Sequence, residues 1–327
     1  MKKWSLVAAA AAVPVVRLAR GFASAPLPRP APLPESIPLP KAEPPAGMGL
    51  VSVPTGVNRR VAAYGYRGGS FFDRRDFYIG SALIQHPEGD LLVDTGFGRD
   101  INQQFATLPR WFQRTTRYEV WKPARDQLEA AGYDFGRLGG IMLTHAHWDH
   151  VSGLPDFPGV PVLISRRDRA AFHQEGMLGY FGAPFRDLRF DWRVLDFDSG
   201  PYLGFPRSHD IYGDGAIVCV PAPGHTPGSI IVFVTLPMNV RYALVGDLVW
   251  QREGLSRLEE RPVVVQRFGD WDPDGNRRNL LRMASIVERI PDLTIVPAHD
   301  QRAFAEMNAL PNVTTNGLIL QTEPTEL

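Results

Sequence analysis

The sequence predicts an α/β protein in which mixed β-sheets are covered by helices. Three observations lead there. Short runs rich in Val, Ile and Leu recur along the chain, turn-forming residues bound many of them, and two segments with helical spacing fall between. Residues 78–85 read as a strand, His86-Pro87-Glu88-Gly89 as a turn, and 90–94 as the returning strand. Residues 123–131 place Leu128 among small residues at helical spacing, and Gly132 stands where that helix would stop. Residues 140–144 form a short buried strand. Further strand-like runs cover 160–165, 216–220, 229–235, 242–245 and 294–296, with an apolar helix over 278–290 before the last. No repeat of solenoid period is present.

With 327 residues, 44% of them apolar, the chain can bury one large core, and a single large domain is the simpler reading. The 35 basic residues balance 35 acidic ones without a like-charged block, which argues against a nucleic-acid partner and against a polybasic membrane patch. Nothing in the sequence sets the oligomeric state. Cys219 is the one cysteine, so no disulfide forms within the chain. Its place in the run Ile217-Val218-Cys219-Val220 makes it a buried strand residue rather than a ligand.

The N-terminus reads as a targeting segment. Lys2 and Lys3 precede an apolar stretch over 4–16, and the small residues Ala23-Ser24-Ala25 follow, in the manner of a secretory signal. The stretch falls short of the roughly 20 apolar residues of a membrane span, and Arg17 and Arg20 follow it. Residues 1–25 are therefore expected to act as a signal or membrane-targeting segment. The protein would be periplasmic or secreted, or membrane-associated if the segment is kept. Residues 26–48 alternate proline with leucine, alanine and a few charges, a composition expected of an extended spacer. The folded domain is expected over 49–327, with a polar, proline-containing tail after about residue 304.

Chemistry concentrates in Thr144-His145-Ala146-His147-Trp148-Asp149-His150, which follows directly on a predicted strand. Three of the chain's eight histidines lie there beside a carboxylate, in a loop where the side chains can converge. Neutral imidazole and carboxylate are both zinc donors. His145 and His147 can share one metal while Asp149 and His150 offer an oxygen and a nitrogen to a second. At a separation of about 3.5–4 Å one hydroxide would bridge both ions.

This loop resembles the His-x-His-x-Asp-His signature of the metallo-β-lactamase superfamily. Downstream segments extend the resemblance across roughly residues 78–304: Pro223-Gly224-His225-Thr226-Pro227-Gly228-Ser229, Gly246-Asp247 after an apolar strand, and Pro297-Ala298-His299-Asp300. The resemblance implies an αββα sandwich of two mixed β-sheets flanked by helices. It also implies two divalent ions, zinc by default, with His145, His147 and His225 on one, Asp149, His150 and His299 on the other, and Asp247 between them. Asp149 and Asp247 would be the catalytic carboxylates. Asp94, in Leu92-Val93-Asp94-Thr95-Gly96, would orient a ligand from behind. His86, His173 and His209 read as solvated surface residues.

Within that superfamily the pattern is most similar to the N-acyl homoserine lactonases, which implies hydroxide attack on the carbonyl of a small lactone or related ester. The motif spacing, the helix over 123–131, Arg167-Asp168 with Ala170-Ala171, and Ala298-His299-Asp300-Gln301 all look similar. One position departs: many of these enzymes carry tyrosine three residues after the bridging aspartate, and this chain has Trp250, a donor-only indole that could line the substrate pocket or pack beneath it. An arylester or organophosphate hydrolase of the same fold is the alternative, with Trp111, Phe112, Tyr180, Phe181 and Trp250 as candidate aromatic walls. A non-catalytic alternative is an exported metal-binding module. A glutathione-thioester hydrolase fits less well, because the tail after Asn308 has no lysine or arginine.

Overall fold

The computed structural model describes residues 19–172, 179–180, 182 and 184–310. Among these, two β-sheets stack face to face. The first holds β1 (Gly49–Val61), β2 (Arg74–Gln85), β3 (Asp90–Val93), β4 (Tyr118–Val120), β5 (Leu138–Met142), β6 (Val162–Ser165), β7 (Trp192–Leu195) and β13 (Asn308–Ala309). Its order is β13-β1-β2-β3-β5-β6-β7, with β4 beside β1. The second runs β12-β11-β10-β9-β8, from β8 (His209–Asp210), β9 (Ile217–Pro221), β10 (Ile230–Leu236), β11 (Val240–Gly246) and β12 (Leu293–Pro297). Both are mixed: β1 to β3 pair antiparallel while β3, β5, β6 and β7 run parallel, and β11 pairs parallel with β12 but antiparallel with β10.

Alternation along the strands builds three apolar layers. In β10, Ile230, Val232 and Val234 point into the core between the sheets, where they meet Ala82, Ile84, Leu91, Val93 and Met142 of the first sheet. Ile231 and Phe233 point the other way, onto Leu280, Met283 and Ile286 of the helix Pro273–Arg289. Across the molecule, Ile79, Leu83, Leu92 and Ile141 face the outer core that Ala124 and Leu128 of the helix Ala124–Ala130 cover. The result is helix, sheet, sheet, helix, as the sequence resemblance implied.

Cys219 is fully buried in β9, and burial pushes its thiol up to about 12. Two of the spare histidines differ from expectation. His86 is buried: its Nε2 lies 3.0 Å from Asp214 Oδ2 and its ring stacks on Tyr212 with centroids 4.1 Å apart. The local turn was read correctly, but residues over 120 positions downstream cover it. His209 is half-buried at the edge strand β8, with Nδ1 3.4 Å from Asp198, and His173 lies outside the described residues.

The proline-rich stretch is extended but does not stand away from the domain. Leu27 N–H donates to the Leu258 carbonyl, Leu33 N–H to that of Ser285, and Glu43 N–H to that of Asp214, each at 2.8 Å. Leu33 is 5% exposed and joins the core under the helix Pro273–Arg289, flanked by Leu27 and Ile37. Proline cannot donate a backbone hydrogen bond, so the few residues between prolines carry the contacts. Leu33→Ala is expected to cost about 2–4 kcal/mol of unfolding free energy in a denaturant titration. No measurable change would mean that the segment is detached in solution.

Candidate metal centre

Strand ends of both sheets deliver the site. From the first sheet, the chain leaves β5 at Met142 and carries His145, His147, Asp149 and His150 in the following loop and short helix Trp148–Val151. From the second come His225 after β9, Asp247 directly after β11 and His299 after β12. Gly246 makes the turn into Asp247 with a left-handed φ of 52°, which favours glycine, and a Cβ there would crowd Thr144 at 3.0 Å.

The ligand-type atoms of these residues converge. His145, His147 and His225 form one group, Asp149, His150 and His299 another, and His145, His150 and Asp247 a third between them, with all atoms of a group within 4.8 Å of one another. Asp247 faces both sides: Oδ2 lies 3.2 Å from His225 Nε2 and Oδ1 lies 3.4 Å from His150 Nε2, while His299 Nε2 is close to both oxygens, 3.2 Å from Oδ1 and 3.3 Å from Oδ2. Asp149 Oδ2 is 3.6 Å from His299 Nε2.

Outer partners aim the rings inward. His150 Nδ1 is 2.7 Å from Asp94 Oδ2, His225 Nδ1 is 2.9 Å from Asp270, and His299 Nδ1 is 2.7 Å from the Tyr78 carbonyl. Asp94 is itself fixed by the Thr144 backbone N–H and hydroxyl, at 2.8 and 2.7 Å. Such partners leave the opposite nitrogen as the inward lone pair. Inside, His145 Nε2, His150 Nε2 and Asp247 Oδ1 are buried without a hydrogen-bond partner. Buried polar atoms seldom go unpaired, and three of them aimed at one point fit a cation.

Charge within the cluster is divided unevenly. Burial alone would push the Asp247 carboxyl up, but His299, His145, His150 and His225 hold it well below its usual range. Burial and neighbouring imidazoles keep His145 and His147 well below normal, hence neutral and ready to ligate. His150 is raised despite burial because Asp94 and Asp247 face it, and Asp247 likewise raises His225 and His299. Binding a divalent ion would displace those protons.

Several organising residues carry no role that the sequence assigns, Asp168 among them although Arg167-Asp168 belongs to the lactonase-like pattern. Asp168 accepts from the Ala146 N–H at 2.8 Å, the Gly228 N–H at 2.9 Å, the Thr226 hydroxyl at 3.1 Å and the Tyr180 hydroxyl at 3.0 Å, tying the two histidine loops together. Its only local signal is a helix cap, since Ser165 accepts from the Asp168 N–H. Asp270 joins His225 to the buried Arg261, which also donates to the Asp247 carbonyl at 2.7 Å. No motif surrounds Asp270. Tyr64 stacks on Trp250 with centroids 5.2 Å apart, and nothing in its sequence context marks it.

Around His299, Glu253 binds Arg302 at 2.7 Å and Arg75 at 3.1 Å, and Arg302 also binds Asp300 at 2.7 Å. Burial raises the Glu253 carboxyl, yet Arg302 first, then a backbone N–H and Arg75, bring it down to about 2, against an ordinary 4.5. A carboxyl depressed in the folded state contributes its full stability above about pH 4.5 and loses it as pH falls toward 2. Metal-free protein is expected to lose on the order of 1–2 kcal/mol across that window through this group, the part-exposed arginines limiting the figure. Glu253→Gln should flatten that part of the stability–pH curve. An unchanged slope would remove Glu253 as the cause.

A cavity of about 330 Å³ opens on the cluster. His147, Asp149, His225, Asp247 and His299 share its wall with Tyr64, Phe77, Trp111, Phe112, Trp250 and Phe268. Trp250 both lines the cavity and packs on Phe77 and Val265, while its indole N–H donates to Asp247 Oδ2 at 2.7 Å. Tyr180 is not in the wall. It is buried against His147 and bound to Asp168, and Phe181 lies outside the described residues.

Comparison with known proteins places this geometry in context. Residues 75–299 match the family model described as the metallo-beta-lactamase superfamily. The chain is 30% identical over 238 residues to the N-acyl homoserine lactonase AttM of Azorhizobium caulinodans, covering 70% of this chain and 84% of that protein. A solved N-acyl homoserine lactone hydrolase, with N-hexanoyl-L-homoserine bound at its catalytic metal centre, aligns with a TM-score of 0.61 at 18% identity. That match covers 83% of this chain and 99% of the other. The dizinc quorum-quenching lactonase AidC aligns with a TM-score of 0.53 at 17% identity, over 80% and 90% of the two chains. At those identities the structural likeness is one of fold.

Proposed function

Since the chain belongs to the metallo-β-lactamase superfamily and is a hydrolase of that fold, we propose that it holds two divalent ions, zinc first among them, and opens the ring ester of an N-acyl homoserine lactone. The observation that carries this reading is the cavity, which joins an aromatic wall suited to an acyl chain to a cluster of five imidazoles and two carboxylates. Imidazole and carboxylate are zinc donors, though manganese, iron and cobalt accept the same set. The AttM relatives are lactonases by name, which supports the same substrate class.

When bound, two such ions supply Lewis acidity and make water a nucleophile near neutral pH. The chain's own groups do the rest. Asp247 turns Oδ2 toward His225 and Oδ1 toward His150, with His299 in reach of both oxygens, and the Trp250 indole fixes the orientation of Oδ2. Asp149 lines the cavity and keeps 13% of its side chain exposed, which supports a role for it in taking the proton released by the attacking water and returning it to the departing alkoxide. The aromatic wall excludes bulk water and holds the substrate's apolar part.

The stacked Tyr64 and Trp250 favour a second reading, hydrolysis of an aryl ester. A panel separates the two: a long-chain acyl homoserine lactone, a plain γ-lactone and an aryl ester, followed by proton release with and without chelator. Chelator-sensitive opening of the acyl homoserine lactone is the expected result. Turnover of the aryl ester alone moves the protein to the esterase branch. No turnover by protein carrying two ions favours the metal-binding module instead.

A further inference from the structure

Ten large apolar side chains stand exposed among the described residues; two of them, Trp111 and Phe268, line the cavity, and four more, Phe71, Phe72, Val263 and Trp271, lie against or next in the chain to residues close to it. Contacts connect them. Trp111 and Phe268 line the cavity with ring centroids 6.4 Å apart, and Phe71 packs at 5.2 Å on Phe22, another lining residue. Val263 lies 3.4 Å from where a side chain on Gly21 would begin, and the Trp271 N–H donates to the carbonyl of His225. Phe72, beside Phe71, is 95% exposed.

The two helices of this rim serve the fold little. Arg110–Thr115 has no fully buried residue although it carries Trp111 and Phe112, and Val263–Gly269 fully buries only Val265. Their charge has one sign, from Arg110, Arg114 and Arg267, with no carboxylate on either helix. The chain also arrives here from residues 1–18. Arg67 donates to the carbonyls of Ala23 and Arg20, and Gly68 N–H donates to that of Phe22. Upstream lie the apolar residues 4–16, with Lys2, Lys3, Arg17 and Arg20 around them. Clustered aromatics, arginines and an adjoining apolar stretch are the chemistry of a surface that meets lipid headgroups.

We propose that this rim docks on the surface of an anionic bilayer, as a second contact beside the apolar N-terminal stretch, so that the cavity mouth faces the lipid. One acyl-sized anchor holds a protein only reversibly, and a second contact makes attachment stable. Processing at Ala25 would remove Phe22 from the cavity wall, so the docked enzyme keeps that segment. The inference stands whichever ester is hydrolysed.

The test uses the full chain with Phe72→Cys, labelled with an environment-sensitive fluorophore; the native Cys219 is buried and escapes the label. Met238→Cys, 94% exposed in the turn between β10 and β11, is the control. With phosphatidylglycerol–phosphatidylethanolamine vesicles, the protein is expected to co-sediment and the probe at 72 to shift to the blue, while that at 238 does not. Co-sedimentation without a shift at 72 would mean that the N-terminal stretch acts alone and would overturn the proposal. So would a shift at both positions, failure to sediment, or a shift at 72 that grows with protein concentration in the absence of lipid, which would mark a face for a second copy of the chain.

Discussion

Replacing Asp247 with asparagine is expected to lower turnover by about 10³-fold or more and to leave fewer than two ions bound per chain. The side chain keeps its volume, so the fold should survive, and circular dichroism would check that. What changes is charge. Asp247 is buried among four imidazoles, with His225 Nε2 3.2 Å from Oδ2, His150 Nε2 3.4 Å from Oδ1 and His299 Nε2 near both. An amide presents one acceptor where the carboxylate presents two, so one histidine group loses its shared oxygen. The Trp250 N–H, now 2.7 Å from Oδ2, would favour the amide oxygen on its own side and turn the NH₂ toward His150 and His299. Elemental analysis and turnover of the same preparation give the decision. A variant with two ions and undiminished activity would remove Asp247 from the site.

The largest loss of stability is expected from Asp168→Ala, about 3–5 kcal/mol by denaturant unfolding. Asp168 is 1% exposed and accepts four hydrogen bonds, two of them from the backbone N–H groups of Ala146 and Gly228. Alanine leaves both N–H groups buried and unpaired, at about 1–3 kcal/mol each, and unties the Thr226 and Tyr180 hydroxyls as well. Burial raises the Asp168 carboxyl even against those four bonds, so part of its hydrogen-bond gain is already offset. Asp168→Asn keeps one acceptor oxygen and should recover part of the loss. A change below about 1 kcal/mol for the alanine variant would mean that the two loops are held by other means.

The contrast between these residues shows what was legible in the sequence. Asp247 was readable because its chemistry is local, a Gly-Asp pair at the end of an apolar strand, in the right order among histidine motifs. Asp168 reaches the histidine loops at Ala146 and Gly228, 22 and 60 positions away, and Asp270 reaches His225, 45 positions away; no local pattern records such hydrogen bonds. The same limit hid β1. Pro54 and Gly56 interrupt its 13 residues and speak against a strand, but the structure places an irregularity in the pairing with β2 between those two positions and continues the strand past it. The parallel strands β5 and β6 are readable as short apolar runs, whereas Trp192–Leu195 has four residues, of which only Leu195 is buried, and does not stand out. Proline content describes the backbone of residues 26–48 well and their attachment not at all, since scattered backbone hydrogen bonds and the buried Leu33 and Met48 hold the stretch.

Strand ends from both sheets supply the cluster, and neither sheet holds a full set. His145, His147, Asp149 and His150 follow the first sheet, and His225, Asp247 and His299 follow the second. A molecule of this kind has no half-active form. As the sheets part on heating, the seven side chains separate together, so thermal inactivation should trace the global melting curve and not run ahead of it, as it would for a site carried on one mobile loop.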